Sequence, residues 1–114
     1  MIFKIISRKM WDAACVQGEF LGSDDDVRDG YIHFSAAGQV VGTARKYFRG
    51  VPDLLLVAFD EAALGPALKW DPSRGGELFP HLYAPLPTRL AVWQRSLELA
   101  EDGEPLIPED ALAC

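Results

Sequence analysis

The sequence predicts an α+β fold: one small domain with a strongly bent mixed sheet and two main helices on one side of it. Three observations predict it. The chain has 114 residues, room for one domain and too little for two. Hydrophobic residues make up 49%, enough to fill a core and to exclude a disordered chain. Strand and helix patterns alternate early and strand patterns then dominate, which suits a mixed sheet better than a doubly wound one.

Residues 1–6 set Ile2, Phe3, Ile5 and Ile6 around one lysine, an apolar run that predicts a strand buried on both faces. Ser7 offers an N-cap and Gly18 a stop, which bracket a helix over residues 8–17. Its inward stripe is Trp11, Ala14 and Cys15, at i, i+3 and i+4. Residues 18–28 read as a loop. The Ser23-Asp24-Asp25-Asp26 run lacks the later glycine and distal glutamate of an EF-hand and reads as a solvated acidic turn. Asp29-Gly30 then signals a turn, Tyr31, Ile32 and Phe34 are strand formers, and Ser35 can cap a helix over residues 36–49. The stripe Val40, Val41, Ala44, Tyr47 and Phe48 marks that helix, and Gly50 ends it. Gly38 and Gly42 weaken it by about 1 kcal/mol each relative to alanine and would let backbone or a ligand approach closely.

Residues 54–59 are an unbroken apolar run and predict the central strand. Residues 60–65 read as one capped helical turn and residues 67–70 as a short strand. Residues 71–88 hold Pro72, Pro80, Pro85, Pro87 and Gly75-Gly76, so they cannot be one long regular element. Leu78, Phe79, Leu82, Tyr83 and Leu86 need burial, which predicts an ordered loop pinned to the body. Residues 90–99 are a last strand. The domain is expected to span residues 1–100, followed by an acidic, loosely docked tail over residues 101–114.

The net charge of -6 argues against a duplex nucleic-acid partner but leaves room for a local basic pocket. The two cysteines make neither a disulfide framework nor a zinc signature; Cys15 reads as a buried small hydrophobe and Cys114 as a frayed terminal thiol. No apolar run approaches ~18 residues and the N-terminus lacks a signal-peptide pattern, so a cytoplasmic protein away from membranes is expected. Nothing in the pattern specifies an oligomer.

Two histidines carry the candidate chemistry. His33 ends a short strand beside an expected helix start, a place where ligands collect in α/β architectures. His81 lies in Phe79-Pro80-His81-Leu82-Tyr83, inside the proline-rich segment that also holds Ser73, Arg74, Gly75, Gly76 and Glu77. An arginine beside two glycines can cradle an anion with backbone N–H groups and a planar cation. Two histidines with scattered acids do not make a metal site. A P-loop, GxGxxG, HExxH and GxSxG are all missing. His33-Phe34-Ser35 resembles half of a two-histidine phosphoesterase, but His81 is followed by Leu82 and Tyr83, which breaks the second half. The expectation is that both imidazoles and the Arg74 guanidinium converge on one hollow that accepts a small anionic guest.

The segments Asp29-Gly30-Tyr31-Ile32-His33-Phe34-Ser35, Leu54-Leu55-Leu56-Val57, Trp70-Asp71-Pro72-Ser73-Arg74 and Phe79-Pro80-His81-Leu82-Tyr83-Ala84-Pro85-Leu86 resemble the domain of unknown function 952 family of small bacterial proteins. The family often has glutamate in place of Asp71 and glycine in place of Ala84. The resemblance implies a more distant similarity to the ADP-ribosyltransferase-like fold, in particular to the second half of RNA 2′-phosphotransferases. Those enzymes use NAD as co-substrate and need no metal, so no required cofactor is implied here and NAD enters as a substrate. Only His33 and Ser35 carry over by motif; the earlier Arg-His element and the basic RNA-binding module have no counterpart.

Three readings stand side by side. In the first, a transferase or hydrolase acts on NAD or another ADP-ribosyl compound: Arg74, the Gly75-Gly76 backbone and the helix start at Ser35 hold phosphates, and His33 bonds a ribose hydroxyl or the pyrophosphate. Tyr83 and Trp70 face a ring, and Glu77 steadies charge on the ribose. In the second, the same pocket binds a nucleotide or ADP-ribosyl group without turnover. In the third, both histidines only tie the long segment to the sheet.

Overall fold

The computed structural model describes residues 1–112, the side chain of Arg74 excepted; the reading of Cys114 lies outside the described residues. Strand β1 (Ile2–Ser7) runs into helix α1 (Arg8–Gln17), whose N-cap Ser7 accepts from the Met10 N–H. Gly18 closes α1 at φ 88°, a left-handed conformation that glycine adopts without a Cβ penalty. Strand β2 (Glu19–Phe20) follows, then helix α2 (Asp24–Asp29), strands β3 (Ile32–His33) and β4 (Ser35–Ala36), helix α3 (Val40–Tyr47) and strand β5 (Leu54–Phe59). A 3-10 segment (Glu61–Ala67), capped by Asp60, leads to β6 (Leu68–Pro72), β7 (Leu78–Leu82), β8 (Leu86–Pro87) and β9 (Ala91–Leu97).

Every described strand pair is antiparallel, and the strands form three small sheets in place of one mixed sheet: β4-β1-β5-β9, β2-β8 and β3-β7-β6. The α+β class holds. The expected placement of both helices on one side does not. Side chains alternate across a strand. Ile2 and Ile6 of β1 with Leu55, Val57 and Phe59 of β5 pack on Trp11 and Ala14 of α1. Phe3 and Ile5 with Leu54, Leu56 and Ala58 pack on Val40 and Ala44 of α3. Strands that are apolar throughout need cover on both faces, so the two helices lie on opposite faces.

Other expectations are corrected by local chemistry. Cys15 is exposed, because the buried stripe of α1 is Trp11 and Ala14 alone. Val41 and Tyr47 are exposed on α3. Helix α3 begins later than expected, after a 3-10 turn (Ala37–Gln39), and the Gln39 side chain accepts from the Ala36 N–H. That bond takes the capping role expected of Ser35, which instead pairs with Phe3 in β4 and places its hydroxyl 3.0 Å from that of Thr43.

The acidic run is not a solvated turn. Ser23 and Asp26 form a reciprocal capping box that starts α2, and Asp26 is buried at 3% exposure. The proline-rich segment is not a loop either, since it contains β7, the middle strand of its sheet. Proline rarely sits in such a strand. Pro80 fits because the β3 ladder has already ended at His33–His81; on that side its carbonyl accepts from Phe34 and no N–H is needed. The tail is docked rather than loose. Leu99 bridges Pro105, Glu104 takes the Arg45 guanidinium at 2.5 Å, and Ala111 is buried with Ile107 and Leu112 beside the α3 face. Among the described residues no helix is long and apolar enough to cross a membrane.

Candidate functional site

The register of β3 against β7 sets His33 directly across from His81, and their rings meet edge to face with centroids 5.5 Å apart. Each has a carboxylate behind it. His81, 1% exposed, has Nδ1 2.9 Å from Asp71 Oδ2. The Tyr83 hydroxyl donates to that same oxygen at 2.5 Å. These contacts hold the Asp71 carboxyl below the usual range, the Tyr83 bond contributing most, and they push the Tyr83 phenol up to about 12. The aromatic ring of Tyr31 stacks on His81 with centroids 3.9 Å apart.

His33 is held from both sides. Its Nδ1 lies 2.5 Å from Asp26 Oδ1 and its Nε2 3.0 Å from Asp29 Oδ2. Both ring nitrogens of His33 thus face carboxylates. Asp26 also accepts from the backbone N–H groups of Ser23 and His33. Lys4, buried in β1, donates to the His33 carbonyl at 2.9 Å and lies 3.6 Å from Asp26. Burial alone would raise the Asp26 carboxyl; the His33 ring, the Lys4 ammonium and the two N–H donors outweigh it and hold the carboxyl well below its ordinary range. For Lys4 burial wins over the Asp26 charge, and its ammonium is pushed down.

This head opens into a cleft of about 460 Å³, within the span usual for ligand sites. His33, Ser35, Tyr31, Ser73 and His81 line it, as do Asp25, Asp26 and Asp29. Met10, Phe20, Phe48, Val51 and Leu54 add apolar lining, Phe20 belonging to the core under α1 and Phe48 and Leu54 to the core under α3. Among the described residues the cations that line the cleft are paired. Lys4 faces Asp26, and Arg28 is spent on Asp25 and Asp29. Among the described residues no group of three or more His, Cys, Asp or Glu is placed to hold a metal ion.

The structure therefore brings together His33, His81 and Ser35. Tyr83 does not line the cleft itself, and its ring lies 5.2 Å from that of Tyr31, which does. It does not bring in Trp70, which is on the other face of β6 from Asp71 and donates to Glu61. Glu77 is bound by Gln39 at 2.7 Å and does not line the cleft, nor do Gly75 and Gly76. The Arg74 side chain lies outside the described residues. Sequence reasoning missed Asp26 and Lys4. The Ser-x-x-acid spacing from Ser23 to Asp26 signalled the box that fixes Asp26. Lys4, the only charge in an apolar strand, needed a buried partner.

A small antiparallel α+β domain with facing, carboxylate-backed histidines defines the class, and the chain belongs to the family described as "Protein of unknown function (DUF952)", whose model matches residues 5–94. It is similar to the protein CC0527 of Caulobacter crescentus. The crystal structure of that protein is 49% identical, covers 99% of this chain and 98% of its own, and gives a TM-score of 0.94. A solution NMR structure of CC0527 is 49% identical over 98% of this chain and 96% of its own, with a TM-score of 0.86. No curated protein matches the chain.

Proposed function

We propose that the cleft binds a nucleoside-type ligand, with ADP-ribosyl compounds such as NAD as the class that the resemblance suggests, and binds it without turnover. The observation that carries the reading is the pair of facing imidazoles, each with a carboxylate behind it, at the head of an apolar-walled cleft. The Asp26 and Asp29 carboxylates and the Nε2 of His81 suit ribose hydroxyls, and the half-buried ring of Tyr31 suits a base. Binding is favoured over catalysis because both nitrogens of His33 are engaged by carboxylates and Glu77 is held by Gln39.

One observation favours a second reading, group transfer or hydrolysis at the ribosyl centre. Asp71 fixes His81 through Nδ1 and leaves Nε2 as the nitrogen on the far side of the ring, the usual arrangement of an oriented general base. NMR titration of the labelled chain with adenosine, ADP-ribose, NAD and inorganic phosphate tests both. Amide shifts confined to residues 26–35 and 79–83 with adenosine and ADP-ribose support the binding site. No shifts at millimolar ligand, or equal shifts with phosphate alone, overturn it. Nicotinamide release from NAD that is lost in His81→Gln selects the second reading.

A further inference from the structure

Tyr47, Phe48 and Val51 line the cleft from the end of α3 and the residues just past it. The tail grips the same stretch. Residues 98–106 form a hairpin closed by its own bonds. Leu99 bridges Pro105, the Leu106 N–H donates to the Glu98 carbonyl, and the Ala100 N–H donates to that of Glu104. At the tip, the Gly103 carbonyl accepts from the Gly50 N–H at 2.7 Å. Glu104 sets one carboxylate oxygen 2.5 Å from Arg45 and the other 3.8 Å from Arg49, which also lies 3.4 Å from the Asp102 carboxylate. A Cβ on Gly103 would come 3.3 Å from the Gly50 nitrogen, so the two backbones meet with no side chain between them. None of Arg45, Arg49, Gly50, Asp102, Gly103 and Glu104 lines the cleft. The grip is outside it and reaches a guest only through the position of residues 47–51.

We propose that this hairpin is a strap. Docked on residues 45–50, it holds Phe48 and Val51 in place for the guest; lifted, it lets them slacken and weakens binding. The inference rests on the nucleoside reading for the identity of the guest and on the fold alone for the movement of residues 47–51. Two features let the strap lift by itself. Its ionic contacts are made by exposed arginines, and such pairs are weak and screened by salt. The residues beyond it have a separate anchor, because Ile107, Ala111 and Leu112 pack in the core under α3. The tip can therefore leave Gly50 while the end of the tail stays seated. Opening of this kind needs only a few exposed contacts to break, the low end of the range of local stabilities within a fold. The strap also gives the site a dependence that a neutral guest does not bring. Adenosine carries no charge to screen, so a fall in its affinity with salt reports on ion pairs of the protein.

The test follows the amides of the ¹⁵N-labelled full chain, first without ligand and then with adenosine. Raising salt from about 10 mM to about 1 M cuts the screening length from about 30 Å to about 3 Å. Without ligand, that change is expected to shift the amides of residues 47–51 and 100–104 and to speed their hydrogen exchange. Glu104→Gln is expected to show part of the change already at low salt and to respond less to added salt. Adenosine is expected to bind about fivefold more weakly in that variant, the combined size of a few exposed ion pairs. Gly103→Val keeps every charge but forces the tip off Gly50, and it is expected to repeat the loss at low salt. Residues 47–51 unmoved in both variants overturn the strap. Equal adenosine affinity in the wild type and both variants does so too, as does exchange that rises uniformly through the fold in both. If adenosine does not bind the wild type, the nucleoside reading falls, and the amides of residues 47–51 alone decide the strap.

Discussion

Lys4 reaches 3.6 Å from Asp26, and both side chains are almost wholly buried, at 8% and 3% exposure. The contact joins a residue of the core strand to a residue of the acidic helix, 22 positions apart along the chain by their numbers, and it stands directly behind His33. Removing one partner leaves the other as an uncompensated buried charge. Asp26→Asn is expected to destabilise the fold by about 3 kcal/mol, a cost characteristic of breaking a buried pair. Lys4→Met combined with Asp26→Asn is expected to recover part of that loss, giving a favourable coupling of ~1 kcal/mol or more in a double-mutant cycle. Urea unfolding of the four proteins measures it; additive losses would show that the pair is not coupled.

Acid stability follows from the same carboxylate. The Asp26 pKa is lower in the folded chain than in the unfolded one, where it takes the ordinary value of about 3.9. The unfolded state therefore takes up the proton first. The stabilising contribution is complete above about pH 4 and is lost as pH falls through the native pKa. Asp29 and Asp71, also lowered, act in the same direction. Urea midpoints measured from pH 7 to pH 2 are expected to drop most steeply below pH 4, and the slope is expected to flatten in Asp26→Asn.

Tyr83 offers a local reporter of the site. Its phenol, pushed up to about 12 by the bond to Asp71, is expected to titrate well above the ordinary value of about 10. In Asp71→Asn it is expected to return toward that value, because the accepting charge is gone. NMR-detected titration of tyrosine ring carbons resolves it from Tyr31 and Tyr47. An unchanged Tyr83 in the variant would mean that Asp71 is not the cause.

Gln39 ties the start of α3 to the turn before β7. It accepts from Ala36 and donates to Glu77 and to the Leu78 carbonyl, the last two at 2.7 Å. Gln39→Ala is expected to cost about 1–2 kcal/mol and to speed hydrogen exchange around residues 36–40 and 77–79 before the rest of the fold. Uniform acceleration throughout would instead indicate a purely global effect.

Much of the architecture is legible in the sequence because local signals and burial agree. Ser7 and Gly18 bracket α1 at its observed ends, and the run from Leu54 to Phe59 is β5 residue for residue. Where they disagree, long-range pairing decides. Pro80 argues locally against a middle strand, yet the ladder that would need its N–H has already stopped. Ser35 looks like a cap, yet the edge of β1 claims it for pairing. His33 and His81 stand out as the only histidines and do meet. Their partners were harder to see, because Asp26 lies in a run of three aspartates that differ only in what the fold packs against each. Trp70 is misplaced for a related reason: the alternation of β6 fixes which side each residue faces only once its register against β7 is known. Glu77 lies between those strands, where Gln39 claims its carboxylate.

The docking of residues 105–112 has a practical corollary for anyone shortening the gene. Ala111, Ile107 and Leu112 shield the same greasy surface that Trp93 and Phe48 border. A protein trimmed near residue 100 would keep the whole stretch that identifies its family, yet would bare that surface to solvent, and it should clump on expression more readily than the full chain.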